Sequence, residues 1–213
     1  MDNKVIPVRF DLSPMKDNPD LRYAFKHRGQ GLRFTGLWKC DQFRNGNLFK
    51  GGWESKPNLF TTEGMAYLLN ILFNDTAKTG SEIWYVGIFK NNVTPAAGDE
   101  GSSALGASGT YGECQDPADF DNAEAGGSTA PTGEKPGYDT VATTTAVITN
   151  AAAQAQFTMN AGITVYGAFL SDVASCSTPG SAHLMCAKKF DAARAVIADD
   201  VLAVTIQITA SSS

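Results

Sequence analysis

The groups in this 213-residue chain whose types could do chemistry are two histidines, four cysteines and a run of carboxylates. A hydrolase needs a nucleophile aligned with a base, or two carboxylates held apart by a rigid scaffold. His27 stands in an irregular N-terminal stretch beside no partner motif, and His183 heads an apolar run near Ser181 without a G-x-S-x-G elbow. His27 is expected to be a solvated or interface residue and His183 to have a structural or solvent role.

Cys40, Cys114, Cys176 and Cys186 contain no C-x-x-C pair, so a zinc site is not expected. Cys176 and Cys186 flank a loop with Pro179 and Gly180 and could be bridged on geometry. The start of the chain (Met1, Asp2, Asn3, Lys4) lacks the basic and apolar parts of an export signal, and no apolar run is long enough to span a membrane. Maturation in a reducing cytoplasm is therefore expected, with free thiols.

The acidic run Asp116, Asp119, Asp121 and Glu124 in DPADFDNAEAGG could offer oxygens to a calcium ion but lacks the spacing of an EF-hand loop. It reads as solvated charge on a loop too flexible to hold a glycosidase pair. Lys188, Lys189 and Arg194 in KKFDAARAVIADD have no Gly-rich phosphate loop beside them and read as a polar turn between strands. Trp84 lies in an apolar run and is assigned to the core. Trp38 and Trp53 flank a hairpin signal and are expected to stack across it rather than form a carbohydrate platform. No catalytic residue, cofactor or metal is expected, and alanine at His183, Asp119 or Glu124 should leave assembly intact.

The elements around these groups are mostly strands. An apolar content of 43% with 10% aromatic residues is enough for one sizeable core without disulfides. Residues 32–43 lead into Asn45-Gly46, the strongest short hairpin signal, and residues 48–54 return. Thr61 or Thr62 can cap a helix running to Phe73, whose stripe of Met65, Leu68, Leu69 and Leu72, widened by Ile71 and Phe73, should pack on a core. Residues 82–89 leave almost no polar side and read as a strand buried on both faces, with Gly87 admitting a close neighbour. Further strands are expected near residues 140–149, 154–159, 163–171, 183–190 and 201–210. The predicted fold class is all-β, mainly an antiparallel β-sandwich of jelly-roll or Ig-like type, with one short packed α-helix and an extended N-terminal arm.

The predicted organisation is an arm over residues 1–31 and a sandwich domain over 32–213, interrupted by a long acidic Gly/Ala-rich loop at 95–137. The arm mixes Pro7, Pro14 and Pro19 with the apolar anchors Ile6, Phe10, Leu12, Tyr23 and Phe25. That composition cannot form a core alone but can lie along another subunit, or fold back on its own domain. Net charge is −5, divided as +2 in residues 1–31 and −7 in the remainder, so the body has no basic face for nucleic acid.

Six segments occurring in order, LWKCDQFRNG, NLFTTEGMAYLLNILF, WYVGIFKNNVTPAAGD, TYGECQD, ITVYGAFLS and CAKKFDAARAVIADDVLAVTIQI, make the chain resemble a family of small virion structural proteins of tailed bacteriophages. The resemblance covers residues 37–210 and leaves the arm outside it. It implies a non-enzymatic virion component, either capsid decoration or cement, or a subunit of the head-tail vertex. The rival class is a tail-fibre module recognising host glycans. Expected partners are major capsid or portal and adaptor proteins and copies of itself, with no nucleic acid and no membrane. The expected location is the virion, assembled in the host bacterial cytoplasm.

Overall fold

The computed structural model describes residues 32–74, 84–177 and 179–212. The architecture below is carried by the compact unit Phe34–Ala210. The expected arm, with its anchors Ile6, Phe10, Leu12, Tyr23 and Phe25, lies outside the described residues, as does His27.

Alternation builds the first strand, β1 (Leu32–Arg44), in which Trp38 and Cys40 are fully buried while Leu37 between them and Gly36 is exposed. Asn45 and Gly46, with φ of 49° and 74°, supply the two positive-φ positions of the hairpin turn into β2 (Asn47–Lys50). The chain continues through β3 (Leu59–Phe60), α1 (Thr62–Phe73), β4 (Tyr85–Phe89) and a four-residue α2 (Gly101–Ala104). There follow β5 (Phe120–Ala125), β6 (Ser128–Thr129), β7 (Val147–Thr149), β8 (Ala155–Met159) and β9 (Thr164–Ser171). A 3-10 turn at Pro179–Ser181 leads to β10 (Leu184–Ala195) and β11 (Val201–Ser212).

These strands form two antiparallel sheets, a seven-stranded one ordered β2-β1-β11-β8-β5-β6 with β7 also on β11, and a four-stranded one ordered β3-β10-β9-β4. Where β11 changes neighbour from β8 to β7, the buried Asn150 amide fills the gap. Its Nδ2 donates to the Val204 carbonyl at 3.1 Å and its Oδ1 accepts from Ile206 N–H at 2.7 Å. The main core lies between the sheets, with Trp38, Phe120, Phe157, Leu202 and Val204 from one side meeting Val86, Ile88, Leu170 and Cys186 from the other. The all-β sandwich expected from the sequence is the fold observed.

The four-stranded sheet is buried on its outer face as well. Phe89, Phe169, Leu184 and Ala187 there form a second core with Ala104, Leu105 and Tyr111. This corrects the reading of 95–137 as a long loop: the segment contains α2, which with Leu105 and Tyr111 covers that face, and β5 and β6, which extend the seven-stranded sheet. The physical reason is that its large side chains have surface to bury on two sides, Leu105 and Tyr111 on the apolar outer face and Cys114 and Phe120 in the main core. The segment also covers the free edge of β4. Cys114 N–H donates to the Ile88 carbonyl at 2.9 Å, Val86 N–H to Pro136 at 2.9 Å, and Tyr138 N–H to Trp84 at 2.8 Å.

Helix α1 starts where capping predicts, with Thr61 accepting from Gly64 N–H at 3.0 Å. Its stripe is only partly used. Leu68 packs against the main core, but Leu69 and Phe73 are 49% and 82% exposed, one turn apart on the outside. The helix is held less by its stripe than by its first turn, where Glu63 accepts from Gly101 N–H and Leu184 N–H, each at 2.8 Å.

Candidate interaction surface

Among the described residues, His183 makes an arrangement that resembles catalytic chemistry. Its Nδ1 is 2.6 Å from Asp172 Oδ2, its backbone N–H donates to Asp172 Oδ1 at 2.6 Å, and its ring stacks on Tyr67 with centroids 4.2 Å apart and planes 5° from parallel. Tyr67 in turn meets Trp84 edge-on at 5.7 Å. Burial, and then the charge of Asp172 and a hydrogen bond to it, raise the Tyr67 phenol above its ordinary range. An Asp-His pair becomes a nucleophilic device only when a hydroxyl or thiol meets the other ring nitrogen. Among the described residues none bonds to that nitrogen, and the stack instead ties α1 to the start of β10.

Of the acidic run, Asp119 is buried and Asp116, Asp121 and Glu124 are half-buried, which corrects the expectation of a solvated loop. Asp119 accepts from the Lys90 ammonium at 2.9 and 2.6 Å and from Gln115 N–H at 2.8 Å. Asp116 accepts from Gly133 N–H at 3.1 Å, while Asp121 and Glu124 are ladder positions of β5 opposite Thr158 and Gln156. Folding the segment into a strand separates these oxygens along an extended backbone, so they do not converge on one ion.

Lys135, the one basic residue of 95–137, is buried against Glu113 at 2.8 Å and donates to the Ser175 carbonyl at 2.7 Å. Burial raises the Glu113 carboxyl, and Lys135 opposes that shift. Lys188, Lys189 and Arg194 lie in β10 rather than in a turn, because the ladder with β9 continues to Ala195. Arg194 reaches the buried Glu54 at 3.2 Å and the Cys40 carbonyl at 3.1 Å. All four cysteines are free and buried, and burial pushes their thiols up, to about 12 for Cys40 and about 11 for Cys176. Such thiols are poor nucleophiles at neutral pH.

The tryptophans part company. Trp38 points into the core, whereas Trp53 pairs with Lys39 across the hairpin and so projects with it from the opposite face. This corrects the expected stack. Trp53, 52% exposed, follows β2, the outermost strand of its sheet, in which Leu48 is 61% and Phe49 58% exposed. Every residue of β2 is exposed. Natural edges are usually shortened, charged or covered. The edges at β3 and β6 are two residues each and β4 is covered, whereas β2 is apolar and, among the described residues, has no further strand beside it. The only charged side chain within β2 is Lys50, and its ammonium is turned onto the Ala193 carbonyl at 3.0 Å.

Sequence reading missed this edge because Leu48 and Phe49 look like any strand residues until the sheet order, among the described residues, places no further strand beside them. No helix among the described residues is long and apolar enough to cross a membrane, and no cluster of metal-ligating side chains occurs among them. Comparison with family models, with curated proteins and with solved structures finds no match in any of the three.

Proposed function

We propose that the chain is a non-enzymatic structural component of a tailed-phage particle, a capsid decoration or head-tail vertex protein. The observation that carries this reading is the open β2 edge with Leu48, Phe49 and Trp53. An edge strand offers unpaired backbone donors and acceptors, and apolar side chains beside them repay burial at roughly 25 cal/mol per Å². The six segments that resemble virion proteins, the commitment of His183 and Asp119 to internal bonds, and the burial of the free cysteines support the same reading. Partners would be other virion proteins and copies of the chain, engaged by the β2 edge and the N-terminal arm.

The test is incorporation into particles. Leu48→Lys should leave the thermal transition unchanged, since that side chain is already exposed, and should remove the protein from purified virions as read by quantitative mass spectrometry. Normal occupancy of the variant, or absence of the parent protein from particles, defeats the proposal.

A second reading, a tail-fibre module for host glycans, draws on the exposure of Trp53, because an indole face can stack on a sugar ring. It places the protein at the distal tail and makes Trp53→Ala abolish glycan binding on an array. Density at the capsid or portal vertex decides for the first reading.

A further inference from the structure

A groove of about 380 Å³ runs beside the four-stranded sheet, where the chain before β3 and the segment after β4 approach β10. Its walls are Pro57, Leu59, Pro95 and Phe190, and its charged groups are Lys56, Lys188, Lys189 and Asp191. These cations are not equivalent. Lys188 is neutralised by Asp191 at 3.3 Å, and Asp191 also accepts from Ser55 N–H at 2.5 Å. Elsewhere Lys39, Arg44, Lys90, Lys135 and Arg194 each have a carboxylate partner. Lys56 and Lys189 have none among the described residues, and both line this groove.

We propose that the groove binds an acidic, extended peptide segment of a partner protein, with carboxylates on Lys56 and Lys189 and an apolar side chain between Pro57, Leu59, Pro95 and Phe190. Two uncommitted ammonium groups over a chain whose remainder carries −7 form a local positive site facing an otherwise repelling surface. The apolar walls add what a free inorganic anion could not use, and two prolines keep the rim stiff so that little entropy is lost on binding. The groove also runs along β3, a two-residue edge strand, beside which an extended segment fits more readily than a helix. The inference does not depend on membership of a phage particle.

The probe is a fluorescein-labelled hexapeptide of alternating Glu and Leu, read by anisotropy on the full chain at low salt, with its Gln-Leu analogue beside it. The acidic peptide should bind, should weaken several-fold as NaCl rises from about 0.05 to about 0.3 M, and should lose about tenfold or more with Lys56→Glu and Lys189→Glu together. Lys56→Gln with Lys189→Gln, which carries no new charge to disturb folding, should give a smaller loss. Lys50→Glu, outside the groove, should change nothing. The proposal is overturned if the acidic peptide does not bind, if the Gln-Leu analogue binds equally, or if the double variants bind as the parent does. It is equally overturned if millimolar inorganic phosphate displaces the peptide, or if single-stranded DNA binds more tightly than the peptide does.

Discussion

The ring of Phe169 occupies the space where Gly87, its direct cross-strand partner, would carry a β-carbon. Two residues along, the relation is reversed, with the ring of Phe89 over Gly167, so β4 and β9 exchange an aromatic for a glycine in each direction. Both rings belong to the second core and flank Tyr111, at 4.9 Å from Phe89 and 6.4 Å from Phe169. The device lets a sheet with two apolar faces stack large rings on one of them without overcrowding.

Gly87→Ala should therefore destabilise by overpacking, by about 1–3 kcal/mol, and Phe169→Ala by cavity formation, by about 3–5 kcal/mol. Urea unfolding of the two variants measures this. If Gly87→Ala alone is neutral, the ring is not held against the glycine.

The buried pair of Lys135 and Glu113 should be asymmetric under mutation. Lys135→Met alone leaves a carboxylate with its counter-charge gone and should cost about 3–5 kcal/mol, whereas adding Glu113→Leu should recover much of the loss. A double variant no better than the single one contradicts this.

Stability should fall in acid through two carboxylates held near pKa 2. Asp200 is held down chiefly by Arg44, at 2.9 and 2.7 Å, and by Gln42, and Asp191 chiefly by Ser55. Both carboxyls titrate lower folded than unfolded, where about 3.9 is usual. Their contribution is thus complete above roughly pH 5 and is lost as pH falls toward 2. Asp200→Asn should flatten the melting temperature between pH 5 and 2, and an unchanged profile would count against the Arg44 contact.

Asp119→Ala should no longer be expected to be silent. It orphans the Lys90 ammonium and Gln115 N–H, a loss of about 1–3 kcal/mol in thermal unfolding. Glu124→Ala should stay close to the parent, since its partners are ladder neighbours and its side chain is half-buried.

Deleting residues 2–28 should leave a folded, soluble body, because the Phe34–Ala210 unit contains both cores. The same truncation should abolish incorporation into particles if the arm is an anchor. Normal occupancy of the truncated protein would remove the arm from the proposed function.

What was legible in the amino-acid order was local. Period-2 alternation located β1, β8, β9 and β11 to within a few residues, Asn45-Gly46 marked the hairpin, and Thr61 marked the start of α1. The unbroken apolar run into Phe89 announced a strand covered on both faces, and Gly87 announced a close neighbour. Each of these follows from backbone geometry or from side chains a few positions apart. Tertiary structure alone decided which residues far apart in the chain would meet. It turned a Gly- and Ala-rich stretch into the cover of a sheet, because small residues have weak local preferences and take the path that buries their few large neighbours. It paired Lys135 with Glu113 and Lys90 with Asp119, separated Trp38 from Trp53, and left β2 at the rim. Charge pairing and edge exposure depend on strand order, and strand order is set by the sum of many burial terms that no single segment displays.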